Sequence, residues 1–172
     1  MTATRRRALG FALGAVGALA AGVGALLTWT VVGLRADRGG VLDERFRGID
    51  LAGGIVVLAA AVLVLVGLLA IRLVPQAVRV SIALGFILAG LAIVTAPVLA
   101  IAAAPDRAAA EIARAAAASG GLTRAEAEEL IRTDEAFAVR WSAGPGIWVT
   151  VAGGVAVTAS GAVILGERRR PG

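Results

Sequence analysis

Four stretches of the chain run without a single charged residue: Ala8–Leu34, Leu51–Ile71, Val80–Ala104 and Gly146–Gly166. A bilayer's hydrocarbon core is roughly 30 Å thick and takes about 20 helical residues to cross, and each stretch is that long. No alternation of period two runs through them, so the backbone hydrogen bonds that a membrane demands are met by helices rather than by a closed barrel. The pattern predicts an all-α integral membrane protein, a single four-helix bundle over residues 1–172 with spans at about 8–34, 51–71, 80–104 and 146–166. A polar segment, 105–145, is inserted between the third and fourth spans. In it Asp106–Ala118 is alanine-rich and favours helix, Ser119-Gly120-Gly121 is a break, and Thr123-Arg124-Ala125-Glu126 has the spacing of a capping box opening a second helix to about Trp141. The expectation is an extracytoplasmic helical hairpin. Its second helix carries Leu130, Phe137 and Trp141 at i, i+7 and i+11, with Ile131 beside them, a candidate contact face. Arg35–Asp50, punctuated by Gly39-Gly40 and Gly48, reads as a solvated connector.

The N-terminus admits a second reading, because Arg5-Arg6-Arg7, an apolar run and Ala18-Leu19-Ala20 resemble a secretory signal with a small-residue cleavage site. The apolar run does not stop there but continues to Leu34, whereas a cleavage site should open onto a polar segment. The first stretch is therefore expected to be an uncleaved span.

Composition agrees with a membrane protein: 59% of residues are hydrophobic, 17% are charged and the mean hydropathy is +0.88, more apolar material than a soluble core can hide. The seventeen basic residues are all arginine and outnumber twelve acids. In such a chain that excess is read first against topology, and nucleic acid is not an expected partner. With four spans, both termini share a side with the short Arg72–Arg79 loop. That side holds eight arginines against one acid, Glu167, and the opposite side nine against eleven. Short arginine-rich segments beside helix ends stay cytoplasmic, so both termini are expected inside the plasma membrane. The clusters Arg5, Arg6, Arg7 and Arg168, Arg169, Arg170 are positioned to attract anionic lipid headgroups.

Chemistry is restricted by what is missing. Histidine, cysteine, lysine and tyrosine are absent, which removes thiolate and imidazole catalysis, disulfides and nearly every transition-metal site. The serines, Ser81, Ser119, Ser142 and Ser160, have no histidine or lysine to activate them. The carboxylates Glu126, Glu128, Glu129, Asp134 and Glu135 are interleaved with Arg124 and Arg132 as on a solvated helix face. No catalytic residue, metal site or cofactor is expected. No ionisable residue lies within any span, which argues against a proton-coupled antiporter, a channel with a charged ring or a voltage sensor.

Small residues recur at helical spacing. Gly10, Gly14, Ala18 and Gly22 mark the first span. Ala152, Ala156 and Ser160 mark the fourth, with Gly153 and Gly161 on a neighbouring stripe; such faces let helix backbones approach closely. Pro97 should kink the third span. With Thr95 and with Thr28, Trp29, Thr30, Trp148 and Thr150 at similar depth, it outlines a candidate cleft toward the outer leaflet. The alternative is that the tryptophans are interfacial anchors and the threonines bond to their own helices.

The segments Leu27-Thr28-Trp29-Thr30-Val31, Gly48-Ile49-Asp50-Leu51-Ala52-Gly53-Gly54 and Gly144-Pro145-Gly146-Ile147-Trp148 resemble those of a group of actinobacterial four-pass membrane proteins. There a tryptophan ends the first span, a Gly-Ile/Phe-Asp turn opens the second, and a Gly-x-Gly-x-Trp turn opens the fourth. The tryptophan-associated transmembrane proteins are similar in outline. The resemblance implies a four-pass layout and brings no activity with it. The expected role is a non-enzymatic accessory or scaffolding component, with a membrane-protein partner. The alternative is a carrier or sensor for a small apolar or lipid-like ligand held in the outer cleft.

Overall fold

The computed structural model describes residues 3–36, 41–104 and 137–166, together with Asp106, Arg107, Ala110, Arg114, Thr123, Ala125, Glu126 and Glu129. Four long helices dominate: α1 (Ala3–Leu26), α2 (Ala52–Ala70), α3 (Gln76–Ala102) and α4 (Pro145–Gly166). All four are long and apolar enough to cross a membrane. Each packs antiparallel on its chain neighbours, and α4 closes the ring against α1.

What lies inside and outside this bundle is inverted relative to a water-soluble one. Leu63, Leu69, Leu88 and Leu99 are each about two-thirds exposed or more, while Ala18, Ala21, Ala25, Ala61 and Ala83 are buried. Lipid tails solvate leucine as well as a protein core does, so helix association in a bilayer is favoured by close packing of small residues. The seam between α1 and α4 shows the consequence. A Cβ added to Gly153 would lie 2.6 Å from the Gly17 carbonyl oxygen and 2.6 Å from the Ala21 nitrogen, so the two backbones are already in contact. Gly10, Gly14, Gly17, Ala21 and Gly24 form the α1 side of the seam; Gly146, Gly153, Ala156 and Ser160 form the α4 side. One position on, Gly154 and Gly161 give α4 a second close face, against Gly90 and Ala83 of α3. Gly22, by contrast, has only Leu58 within 4.0 Å, and Ala152 is exposed. The seam thus takes in Gly10, Gly14, Ala156 and Ser160 of the stripes picked out from the sequence and leaves out Gly22 and Ala152.

At one end the bundle carries a three-stranded antiparallel sheet of order β2-β1-β3, formed by β1 (Thr28–Ala36), β2 (Val41–Arg47) and β3 (Phe137–Ala143). Three expectations are corrected here. The first helix stops at Leu26, and Thr28–Leu34 is strand. Arg35–Asp50 is not a plain connector, since most of it belongs to the sheet and the 3₁₀ turn at Gly48–Asp50. The helix opened by Thr123 does not reach Trp141, because Phe137 and Trp141 lie in β3. The cause is shared: Thr, Trp, Val and Phe fit a pleated surface, and β1 pairs on both edges, Thr30–Arg35 with Phe46–Val41 and Thr30–Ala36 with Ala143–Phe137. The inserted segment does contain helix at each described position from Asp106 to Arg114 and from Ala125 to Glu129. Its capping box is formed: the Thr123 N–H and hydroxyl both donate to a Glu126 carboxylate oxygen at 2.7 Å. Those bonds hold the Glu126 carboxyl below the ordinary glutamate range, the hydroxyl contributing most. The proposed turn at Ser119-Gly120-Gly121, and Leu130 and Ile131 of the contact face, lie outside the described residues.

Candidate functional site

Where α1 gives way to β1, the chain makes a bulge. Thr28 pairs with Arg47 and Thr30 with Phe46, leaving Trp29 as the extra residue. A bulge re-aims a side chain, and here the indole turns back into the bundle, where it is fully buried. Its Nε1–H donates at 2.9 Å to the Gly24 carbonyl, in the last turn of α1, which also accepts the Leu27 N–H at 3.2 Å.

Two further segments close on this tryptophan. Gly48 closes on the indole so tightly that an added Cβ would stand 2.5 Å from Cε2 and Nε1. The Gly48 N–H donates to the Leu27 carbonyl at 3.1 Å. Asp50 braces the turn, its carboxylate accepting the Arg47 N–H at 2.9 Å. From the other side the Gly144 N–H donates to the Trp29 carbonyl at 2.7 Å, and a Cβ on Gly144 would strike the Thr28 carbonyl. The tryptophan, Gly-Ile-Asp and Gly-x-Gly-x-Trp segments, spread over about 120 residues of sequence, are therefore parts of one joint that ties the sheet to α1, α2 and α4.

The residues outlined as an outer cleft are distributed around this joint. Trp29, Thr30 and Thr150 are buried. Thr150 bonds to the Gly146 carbonyl of its own helix at 2.8 Å. Pro97 is buried in α3, while Thr95 is exposed on α3 and donates to the Ala92 carbonyl at 3.2 Å. Trp148 is 67% exposed on the outside of α4, as an interfacial anchor would be. Trp29 is thus packed inside the bundle, while Thr30 and Thr95 border a cavity and a groove beside it.

A cavity does exist at the sheet end, displaced toward α2 and α3. It encloses about 320 Å³ and is lined by Thr30, Phe46, Asp50, Leu51, Arg107 and Arg114, among others. A second groove of about 280 Å³ between α2 and α3 is lined by Val56, Thr95, Ala96 and Leu99 and shares Ala100 and Arg107 with the first. Of these linings, sequence reading singled out Thr30 and Thr95 and missed Phe46 and Asp50, which sit in a segment read as connector, and Arg107, in one read for its helix propensity.

No group of three or more acid, histidine or cysteine side chains able to hold a metal occurs among the described residues. No curated protein matches the sequence. The sequence profile of the tryptophan-associated transmembrane proteins matches residues 11–172, from the first helix through every segment that meets at Trp29, and the chain belongs to that family.

Proposed function

We propose that the protein is a non-enzymatic accessory or scaffolding component of the plasma membrane, with both termini cytoplasmic and the sheet on the outer face. One observation carries the reading. The helices pack backbone to backbone around a joint plugged by Trp29, and the plug supports a sheet whose outer strands, β2 and β3, each pair on one edge only among the described residues. A rigid stem bearing an open-edged sheet suits presentation to a partner, since an extended segment can add to such an edge through main-chain hydrogen bonds. The orientation is supported by the arginine imbalance. The clusters Arg5–Arg7 and Arg168–Arg170 would then sit at the anionic headgroups of the inner leaflet.

The test is site-specific photocrosslinking from Arg45 and Ser142, exposed positions on β2 and β3, in native membranes. It is followed by purification in mild detergent with proteins and lipids both identified. One defined protein crosslinked from both strands is expected. Recovery of a stoichiometric small ligand without protein would instead support the second reading, a carrier or sensor of a lipid-like molecule, which the cavity and the groove that share Arg107 favour.

A further inference from the structure

At the end of the bundle opposite the sheet, four elements surround a cleft of about 460 Å³. Its floor is apolar, made by Ala8 and Phe11 of α1, Ile71 after α2 and Ile164 of α4, and its rim is three arginines, Arg7, Arg72 and Arg79. We propose that this cleft binds one anionic glycerophospholipid, the phosphate among the guanidinium groups and the first part of an acyl chain against Phe11 and Ile164.

Two features separate this cleft from a generally basic surface. The guanidinium groups of Arg72 and Arg79 are already held in place. Arg72 lies over the Phe11 ring, 5.1 Å from its centroid, an attraction between a cation and the negative face of the ring. Arg79 is half-buried and donates its Nε–H to the Val74 carbonyl at 3.1 Å, leaving its two terminal nitrogens for a ligand. Side chains ordered beforehand lose less entropy when they bind, and the planar guanidinium fork matches phosphate oxygens in pairs. The second feature is the charge of the cleft itself, whose lining holds three arginines and no carboxylate among the described residues. The apolar floor commits the occupant to a lipid rather than a free anion, because a small phosphate would leave Phe11 and Ile164 uncovered. This site is independent of the protein-partner reading above.

Delipidated protein in detergent, titrated with dioleoylphosphatidylglycerol or dioleoylphosphatidylcholine and followed by native mass spectrometry, tests the assignment. One phosphatidylglycerol per chain should bind in clear preference to phosphatidylcholine. Each arginine near a charged headgroup is worth about a five-fold change in binding, so the double variant R72Q/R79Q should bind about thirty-fold more weakly. Replacement of Phe11 by leucine leaves net charge unchanged and should weaken binding about two- to five-fold by removing the ring under Arg72. The control R5Q/R6Q removes the same charge from outside the cleft and should weaken binding clearly less than R72Q/R79Q does. Circular dichroism reports that each variant is folded. Affinity in R72Q/R79Q within about two-fold of the unsubstituted protein, an equal loss in R5Q/R6Q, or displacement of the lipid by millimolar inorganic phosphate overturns the proposal.

Discussion

Replacing Gly48 by alanine adds one methyl group, and the structure defines what that methyl meets. It would stand 2.5 Å from two atoms of the Trp29 indole and 2.6 Å from the Ala25 carbonyl oxygen. Carbon atoms in contact sit about 3.5–4.0 Å apart, so the overlap is on the order of 1 Å on both sides. Neither neighbour can retreat easily. The indole is fully buried and anchored to Gly24, a Cβ added at Gly53 would already touch its ring at 3.5 Å, and the carbonyl belongs to α1. Overpacking of this kind costs about 1–3 kcal/mol. Removal of the indole by Trp29→Ala is expected to cost more, about 3–5 kcal/mol. In the double variant the methyl occupies space the ring has left and only the clash with Ala25 persists, so the two losses should fall short of additive by at least about 1 kcal/mol. Unfolding in mixed micelles of rising dodecyl sulfate content, followed by far-ultraviolet circular dichroism, measures all three variants without depending on tryptophan emission. If Gly48→Ala unfolds with the unsubstituted protein, or if the double variant is additive to within about 0.5 kcal/mol, the joint described around Trp29 is wrong.

The same unfolding assay distinguishes the two stripes of small residues on α1 and α4. Gly153→Ala drives a methyl into the backbone of α1 and should cost about 1–3 kcal/mol, whereas Gly22→Ala, with open space around it, should stay within about 0.5 kcal/mol of the parent; the reverse order would misplace the helix seam. The Ser160 hydroxyl donates to the Gly10 carbonyl across that seam at 2.7 Å, so Ser160→Ala should lose about 0.6 kcal/mol, and no more than about 1.7. For topology, a cysteine at Ser142 should react with a membrane-impermeant maleimide on intact cells and one at Gln76 only after permeabilisation, there being no native cysteine to interfere; the opposite pattern inverts the protein. The lowered Glu126 pKa means that its cap is present above the ordinary glutamate range and is lost as pH falls through the depressed value. Thr123→Ala removes the hydroxyl responsible for most of that shift and should raise the midpoint seen by carboxyl-carbon NMR; an unchanged midpoint would mean the bond is not made in solution.

The spans and the class of fold were legible in the sequence because lipid imposes a one-dimensional rule: some twenty residues without charge, in helix, or not at all. The Thr123–Glu126 box was legible for a similar reason, since a cap is made within four residues. The sheet was not. Thr28-Trp29-Thr30-Val31-Val32-Gly33-Leu34 continues the apolar run of α1 without a charge to mark the boundary, and a short apolar run does not declare its period. A signal did exist in β3, where Phe137, Val139 and Trp141 alternate with Ala138, Arg140 and Ser142; spacing of seven and eleven drew Phe137 and Trp141 onto a helix instead. Which way Trp29 would point was beyond any local pattern. It depends on a bulge set by pairing with Phe46 and Arg47, on the Gly24 carbonyl in the last turn of α1, and on Gly48 being small enough to lie against the ring. The arginine-rimmed cleft likewise joins Arg7, Arg72 and Arg79 through the return of α2 beside α1 and of α3 beside α2. Local sequence determines what each segment can be in lipid, whereas contacts between segments far apart in the chain decide which tryptophan is core, which is anchor, and where the cations converge.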